Sequence, residues 1–132
     1  MAHKTSILYV DDDFDSCQLI PIFLSHGGDY EVTAMDDALE ASEVIDKKDF
    51  DLYLLDYCMP EMTGVMLCKQ IREKHPDTPI VMYSALDREV DREQAEKAGV
   101  DVFLIKPDEI ADLIPNIEKL LHNKQLLSTL SA

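Results

Sequence analysis

The stretch Leu52-Tyr53-Leu54-Leu55-Asp56-Tyr57-Cys58-Met59-Pro60-Glu61-Met62-Thr63-Gly64 decides the fold. Four apolar residues without polar alternation stop at an aspartate, and a proline and a glycine follow. So short and uniform a run reads as a strand buried on both faces, as in a parallel sheet. Four more runs of this kind occupy residues 7–10, 30–34, 80–83 and 102–105. Longer segments with helical periodicity lie between and after them. Leu19, Ile22 and Phe23 mark the first; Leu39, Val44 and Ile45 the second; Leu67, Cys68 and Ile71 the third. Residues 88–98 are charged and stop at Gly99, a good helix terminator. The fifth helix carries Leu113, Ile117, Leu120 and Leu121. Five strands alternating with five helices make a (βα)5 chain, which right-handed crossovers fold into a doubly wound α/β sandwich.

Two prolines bear on the helix boundaries. Pro21 removes a backbone donor inside the first helix, so a kink or an early turn is expected there. Pro115 fits only if the last helix begins near Asp112, which puts it in the first turn.

The strand ends carry the chemistry. The first strand runs into Asp11, Asp12 and Asp13, the third ends at Asp56, the fourth at Ser84 and the fifth at Lys106-Pro107. In open α/β sheets the ligand site lies beyond the carboxyl ends of the strands. Four of the five strands therefore deliver a polar group to one edge. Carboxylates held a few ångströms apart repel, so one protonates or a cation neutralises them. Oxygen-only ligands suit a hard ion such as Mg²⁺. Lys106 adds a compact positive charge and Ser84 a hydroxyl donor. Together these groups can cradle a phosphoryl group, with one carboxylate as its nucleophile. Taken singly, Asp13 reads as a helix N-cap, Asp56 could open a turn and Lys106 could be solvated. Four such accidents at one edge are far less economical than one site.

Composition narrows the field further. The chain has 132 residues, 27 acidic and 12 basic side chains and a net charge of −15. One compact domain fits that length. The charge argues against direct nucleic-acid binding, which needs a basic footprint. No run approaches the roughly 18 apolar residues of a membrane span, and no signal peptide fits the start, so the expected location is the cytoplasm. The 26 residues after Lys106 hold one helix and a tail but no DNA-binding domain. Cys17, Cys58 and Cys68 form no metal-binding spacing and read as free thiols.

With these residues in hand, the chain resembles the receiver domain of two-component response regulators. The likeness runs from about residue 7 to residue 121. It rests on ILYVDD at 7–12, LLDYCMPEMTG at 54–64, IVMYSA at 80–85 and KAGVDVFLIKP at 97–107. The second is the most specific, with an aspartate four residues before a proline and eight before a glycine. The resemblance implies a flavodoxin-like fold with strand order 2-1-3-4-5, a receiver domain over residues 5–122 and a short C-terminal tail over 123–132. It implies a signalling domain rather than an enzyme, whose chemistry is self-phosphorylation and autodephosphorylation.

Carried over position by position, Asp56 corresponds to the phosphoacceptor and Asp12 to the direct Mg²⁺ ligand. Asp11 corresponds to its partner acting largely through water, and Cys58 to the position whose backbone carbonyl binds the metal. Ser84 corresponds to the switch hydroxyl, Lys106 to the family lysine and Phe103 to the switch aromatic, and the Lys106–Pro107 bond is expected to be cis. The implied partners are a sensor histidine kinase or histidine phosphotransfer protein, and an effector on the face of the fourth helix, fifth strand and fifth helix. A phosphorylation-dependent homodimer is a further expectation.

Three departures stand out. Phe103 lacks the hydroxyl of a tyrosine, Pro21 interrupts the helix that relatives use for docking, and Tyr57 is bulkier than the usual aliphatic residue. Two alternatives stay open: a degenerate receiver acting as a docking module, and an aspartate-nucleophile phosphatase of the haloacid dehalogenase type. The phosphatase class has DxD after its first strand and usually a cap domain, whereas the acceptor strand here ends in Asp56-Tyr57-Cys58. A docking module would normally have lost an acidic residue or the lysine. A flavodoxin-type electron carrier is disfavoured because Asp11–Asp13 would repel a cofactor phosphate, and a P-loop is absent.

Overall fold

The computed structural model describes residues 4–131. The elements in chain order are β1 (Thr5–Val10), α1 (Phe14–Leu24), β2 (Tyr30–Met35), α2 (Ala38–Lys47), β3 (Leu52–Leu55), α3 (Gly64–Lys74), β4 (Ile80–Ser84), α4 (Glu89–Ala98), β5 (Val102–Ile105), a 3-10 turn (Ile110–Asp112) and α5 (Leu113–Ser131). All five strands are parallel in the order β2-β1-β3-β4-β5. The (βα)5 flavodoxin-like sandwich expected from the sequence is what forms.

The uniform strands serve two cores at once. Leu8, Val10, Tyr53 and Leu55 point to one side with Ala41, Ile45, Leu67 and Ile71 of α2 and α3. Ile7, Tyr9, Leu52 and Leu54 point to the other with Ile20, Leu24, Leu113 and Ile117 of α1 and α5. Successive side chains alternate between faces, and both faces are covered, so no polar alternation survives. β2 corrects the expectation of a run buried on both faces: Glu31 and Thr33 interrupt its apolar residues, and as an edge strand it is only partly buried, with Glu31 and Ala34 exposed.

The helices correct several expectations. In α1 the buried residues are Ile20 and Leu24, whereas Leu19 and Ile22 are 63% and 61% exposed. Residues 19–24 are apolar except for Pro21, so periodicity alone could not choose the inward face. Pro21 neither breaks the helix nor ends it at once. It lies in the last turn, where its carbonyl accepts the Ser25 N–H at 3.1 Å. Pro115 falls in the first turn of α5, as expected. In α2, Leu39 is exposed and Ala38, Ala41 and Ile45 face the core. Residues 123–131, expected as a tail, continue α5 as helix to Ser131, and position 132 lies outside the described residues. No described helix is long and apolar enough to cross a membrane.

Candidate functional site

Strand register builds the site. Val10 of β1 is paired with Leu55 of β3, so Asp11 and Asp56 leave adjacent strands side by side. The Asp56 N–H donates to the Val10 carbonyl at 2.9 Å. Ser84 is paired with Ile105, which brings Lys106 beside the end of β4, and the Lys106 N–H donates to the Ser84 carbonyl at 2.9 Å. The Lys106–Pro107 peptide is cis.

Carboxylate oxygens of Asp11, Asp12 and Asp56 lie within 4.8 Å of one another. Asp11 and Asp56 are buried, while Asp12 is exposed. The Lys106 Nζ is 2.6 Å from Asp11 Oδ2 and 3.6 Å from Asp56 Oδ2. Asp11 is further held by the Tyr9 hydroxyl, which donates to Oδ2 at 2.7 Å, and by the Asp13 N–H, which donates to Oδ1 at 2.9 Å. Asp56 Oδ1 accepts the Tyr57 N–H at 2.9 Å. Asp13 is the N-cap of α1, with Oδ2 accepting the Ser16 N–H at 3.2 Å, the capping role its position suggests.

The electrostatics are unbalanced. Burial and the Asp11 charge push the Asp56 carboxyl up from 3.8 to about 6, although Lys106 and the Ser84 hydroxyl pull the other way. Burial works against the Lys106 ammonium, but its hydrogen bond to Asp11 and the charges of Asp56 and Asp11 keep its pKa above the ordinary lysine value. One lysine shared by two buried carboxylates leaves net negative charge in a confined space. Hard oxygen donors at that spacing fit a divalent cation such as Mg²⁺.

The buried Ser84 hydroxyl accepts the Leu86 N–H at 3.3 Å. Phe103 is half-buried on β5, its ring 6.4 Å from that of Tyr57, with the Arg92 guanidinium 5.0 Å over its face. The Cys58 side chain is exposed; Cys17 and Cys68 are half-buried and buried. Gly64 opens α3 directly against the end of β3, where a Cβ would collide with the Asp56 carbonyl oxygen.

Sequence reasoning missed Tyr9 as a site residue. It lies inside an apolar run and reads as core, and only the fold aims its hydroxyl at Asp11. Its phenol is held far above the ordinary value by burial and by Asp11, so it remains a donor.

The fold and the acid-lysine edge define a class of doubly wound α/β domain with an acidic site at the carboxyl ends of its strands, and comparison with known proteins narrows it. The family model described as response regulator receiver domain matches residues 7–118. The regulatory protein VanR of Enterococcus faecium is 34% identical over 92% of the chain and 52% of its own length. The transcriptional regulatory protein ResD of Bacillus subtilis is 35% identical over 98% of the chain and 53% of its own length. The crystal structure of a CheY-like response regulator receiver domain protein from Methanospirillum hungatei superposes with a TM-score of 0.86 at 27% identity, covering 93% of this chain and 98% of that one. This chain belongs to the response regulator receiver domain family of two-component systems. It spans about half the length of the curated relatives it matches.

Proposed function

We propose that the domain accepts a phosphoryl group on Asp56, from a sensor histidine kinase or a histidine phosphotransfer protein, with Mg²⁺ held by Asp11, Asp12, Asp56 and the Cys58 backbone carbonyl. The observation that carries this reading is the convergence of three carboxylates within 4.8 Å beside Lys106. In the transfer the phosphorus–nitrogen bond of a phosphohistidine breaks as Asp56 forms the new bond to phosphorus, and the imidazole leaves with the freed electron pair. A cation held there would supply charge neutralisation of the phosphoryl oxygens. Lys106 meets one of those oxygens with its ammonium, and Ser84 donates its hydroxyl to another. Asp11 positions Lys106, and Tyr9 and the Asp13 N–H fix Asp11.

The same reading makes Ser84 and Phe103 a switch. A phosphoryl group adds about −1.5 to −2 charge. Ser84 moves toward it, Phe103 follows into the vacated space, and the face made by α4, β5 and α5 changes for an effector or a second phosphorylated copy. α4 suits this because little burial holds it: only Asp91 and Ala95 are buried, and Val90, its one large apolar side chain, is 48% exposed.

Mass spectrometry after treatment with acetyl phosphate and Mg²⁺ tests the acceptor. One added phosphoryl group is expected, absent with EDTA and in Asp56→Asn. Equal labelling of the Asn variant would sink the assignment. Hydrogen exchange with beryllofluoride tests the switch: changes should reach residues 84–98 and Phe103, and Ser84→Ala should blunt them. A response confined to the loops touching Asp56 would overturn it.

A further inference from the structure

Tyr57 touches three parts of the molecule that the switch must connect. Its backbone N–H donates to Asp56 Oδ1 at 2.9 Å. Its hydroxyl donates to Gln94 Oε1 on α4 at 2.8 Å, across 37 positions of sequence. Its ring lies against Phe103. Tyr57 as a whole is 9% exposed, and its hydroxyl meets Gln94 in a part-buried contact at the edge of α4.

The anchoring of α4 gives this contact its weight. The C-terminal end of the helix is pinned: Arg72 donates to the Gly99 carbonyl at 3.0 and 2.7 Å, and the Cys68 thiol to the Ala98 carbonyl at 3.3 Å. Toward the N-terminus the ties are fewer. Asp91 is buried; its bonds at 2.8 and 3.0 Å go to Arg88, its own N-cap residue, and its carboxylate also interacts with the Tyr57 hydroxyl. Arg92 spans Asp87 at 3.6 Å and Glu109 at 3.9 Å, both at exposed or half-exposed side chains, where ion pairs contribute little. Ala95 offers one methyl group.

We infer that Tyr57 is a latch: its hydroxyl holds α4 through Gln94 in the position seen here, and its backbone ties that latch to the Asp56 carboxylate. Phosphorylation of Asp56 alters the oxygen that accepts the Tyr57 N–H, and the ring and hydroxyl of the same residue carry the change to Phe103 and α4. An aliphatic side chain at this position could pack but could not hold the helix by a hydrogen bond. The transmission half of this inference rests on Asp56 being the acceptor; the latch half does not.

Hydrogen exchange of the unmodified protein tests the latch. Tyr57→Phe removes only the hydroxyl, and Gln94→Leu removes its acceptor from an exposed position. Each should speed exchange of the amides of residues 89–98 about threefold to tenfold, the range for a single hydrogen bond. Exchange of the β1 and β3 amides should stay unchanged, which separates release of the helix from general destabilisation. The double variant should not exceed Tyr57→Phe, because Gln94→Leu removes nothing further once the hydroxyl is gone. Unchanged α4 exchange in Gln94→Leu, or additive effects in the double variant, would overturn the latch. Transmission is read by adding beryllofluoride: the α4 response should be smaller in both variants than in the wild type, since the helix is already released. An undiminished response overturns transmission. Failure of Asp56 to be labelled by acetyl phosphate overturns the acceptor reading and the transmission with it, while the exchange result on unmodified protein still decides the latch.

Discussion

Replacing Asp56 by asparagine removes a charge that the metal-free fold accommodates poorly. Burial and the neighbouring Asp11 raise its pKa from 3.8 to about 6, and that value already includes the attraction of Lys106. At about 1.36 kcal/mol per pKa unit, the ionised form costs the folded state about 3 kcal/mol relative to the neutral one. Asp56 is 5% exposed, so solvent screens little of this. A raised carboxyl pKa contributes stability that is complete below the unfolded value near 3.8 and lost as pH rises through about 6. Asparagine resembles the neutral form at every pH. In EDTA at pH 7.5, Asp56→Asn should therefore unfold at higher denaturant, more stable by about 3 kcal/mol, a substantial part of the roughly 5–15 kcal/mol typical of a domain. The advantage should shrink as pH falls through 6 toward 4, because the wild-type carboxyl then takes up its proton. Saturating Mg²⁺ should also reduce it, by compensating the charge in the wild type. A variant no more stable than wild type in EDTA, or a difference indifferent to pH between 4 and 7.5, would refute the reasoning.

Three further outcomes follow from the same geometry. Mg²⁺ at about 100 times its dissociation constant should stabilise the wild type by roughly 2.7 kcal/mol, and Asp12→Ala much less, as read from thermal melts with saturation checked separately. Gly64→Ala should destabilise by about 1–3 kcal/mol in urea titrations, since its Cβ meets the Asp56 carbonyl, and it should slow phosphoryl labelling by shifting the acceptor strand. Tyr9→Phe deletes a hydrogen bond to the buried Asp11 carboxylate and should cost about 1.5–3 kcal/mol in the same titration, with little change in secondary structure by circular dichroism.

What the sequence determined by itself was the architecture and the composition of the edge. Short uniform apolar runs specify strands buried on both faces, a property each run carries locally, and the strands formed where those runs lie. Asp11, Asp12, Asp56, Ser84 and Lys106 were legible because each ends a strand or lies within two residues of its end, and a parallel sheet gathers strand ends at one edge whatever the packing details. The tertiary structure alone decided which apolar residues face inward. Ile20 and Leu24 rather than Leu19 and Ile22 bury in α1, because a nearly continuous apolar helix has no intrinsic face until a sheet selects one. It also decided contacts that no local pattern announces: the Tyr9 hydroxyl to the Asp11 carboxylate, Tyr57 to Gln94 across 37 positions, and the burial of Asp91 on α4. Such contacts depend on helix rotation and strand register together, and a shift of one residue in either sends the same side chain to the opposite face.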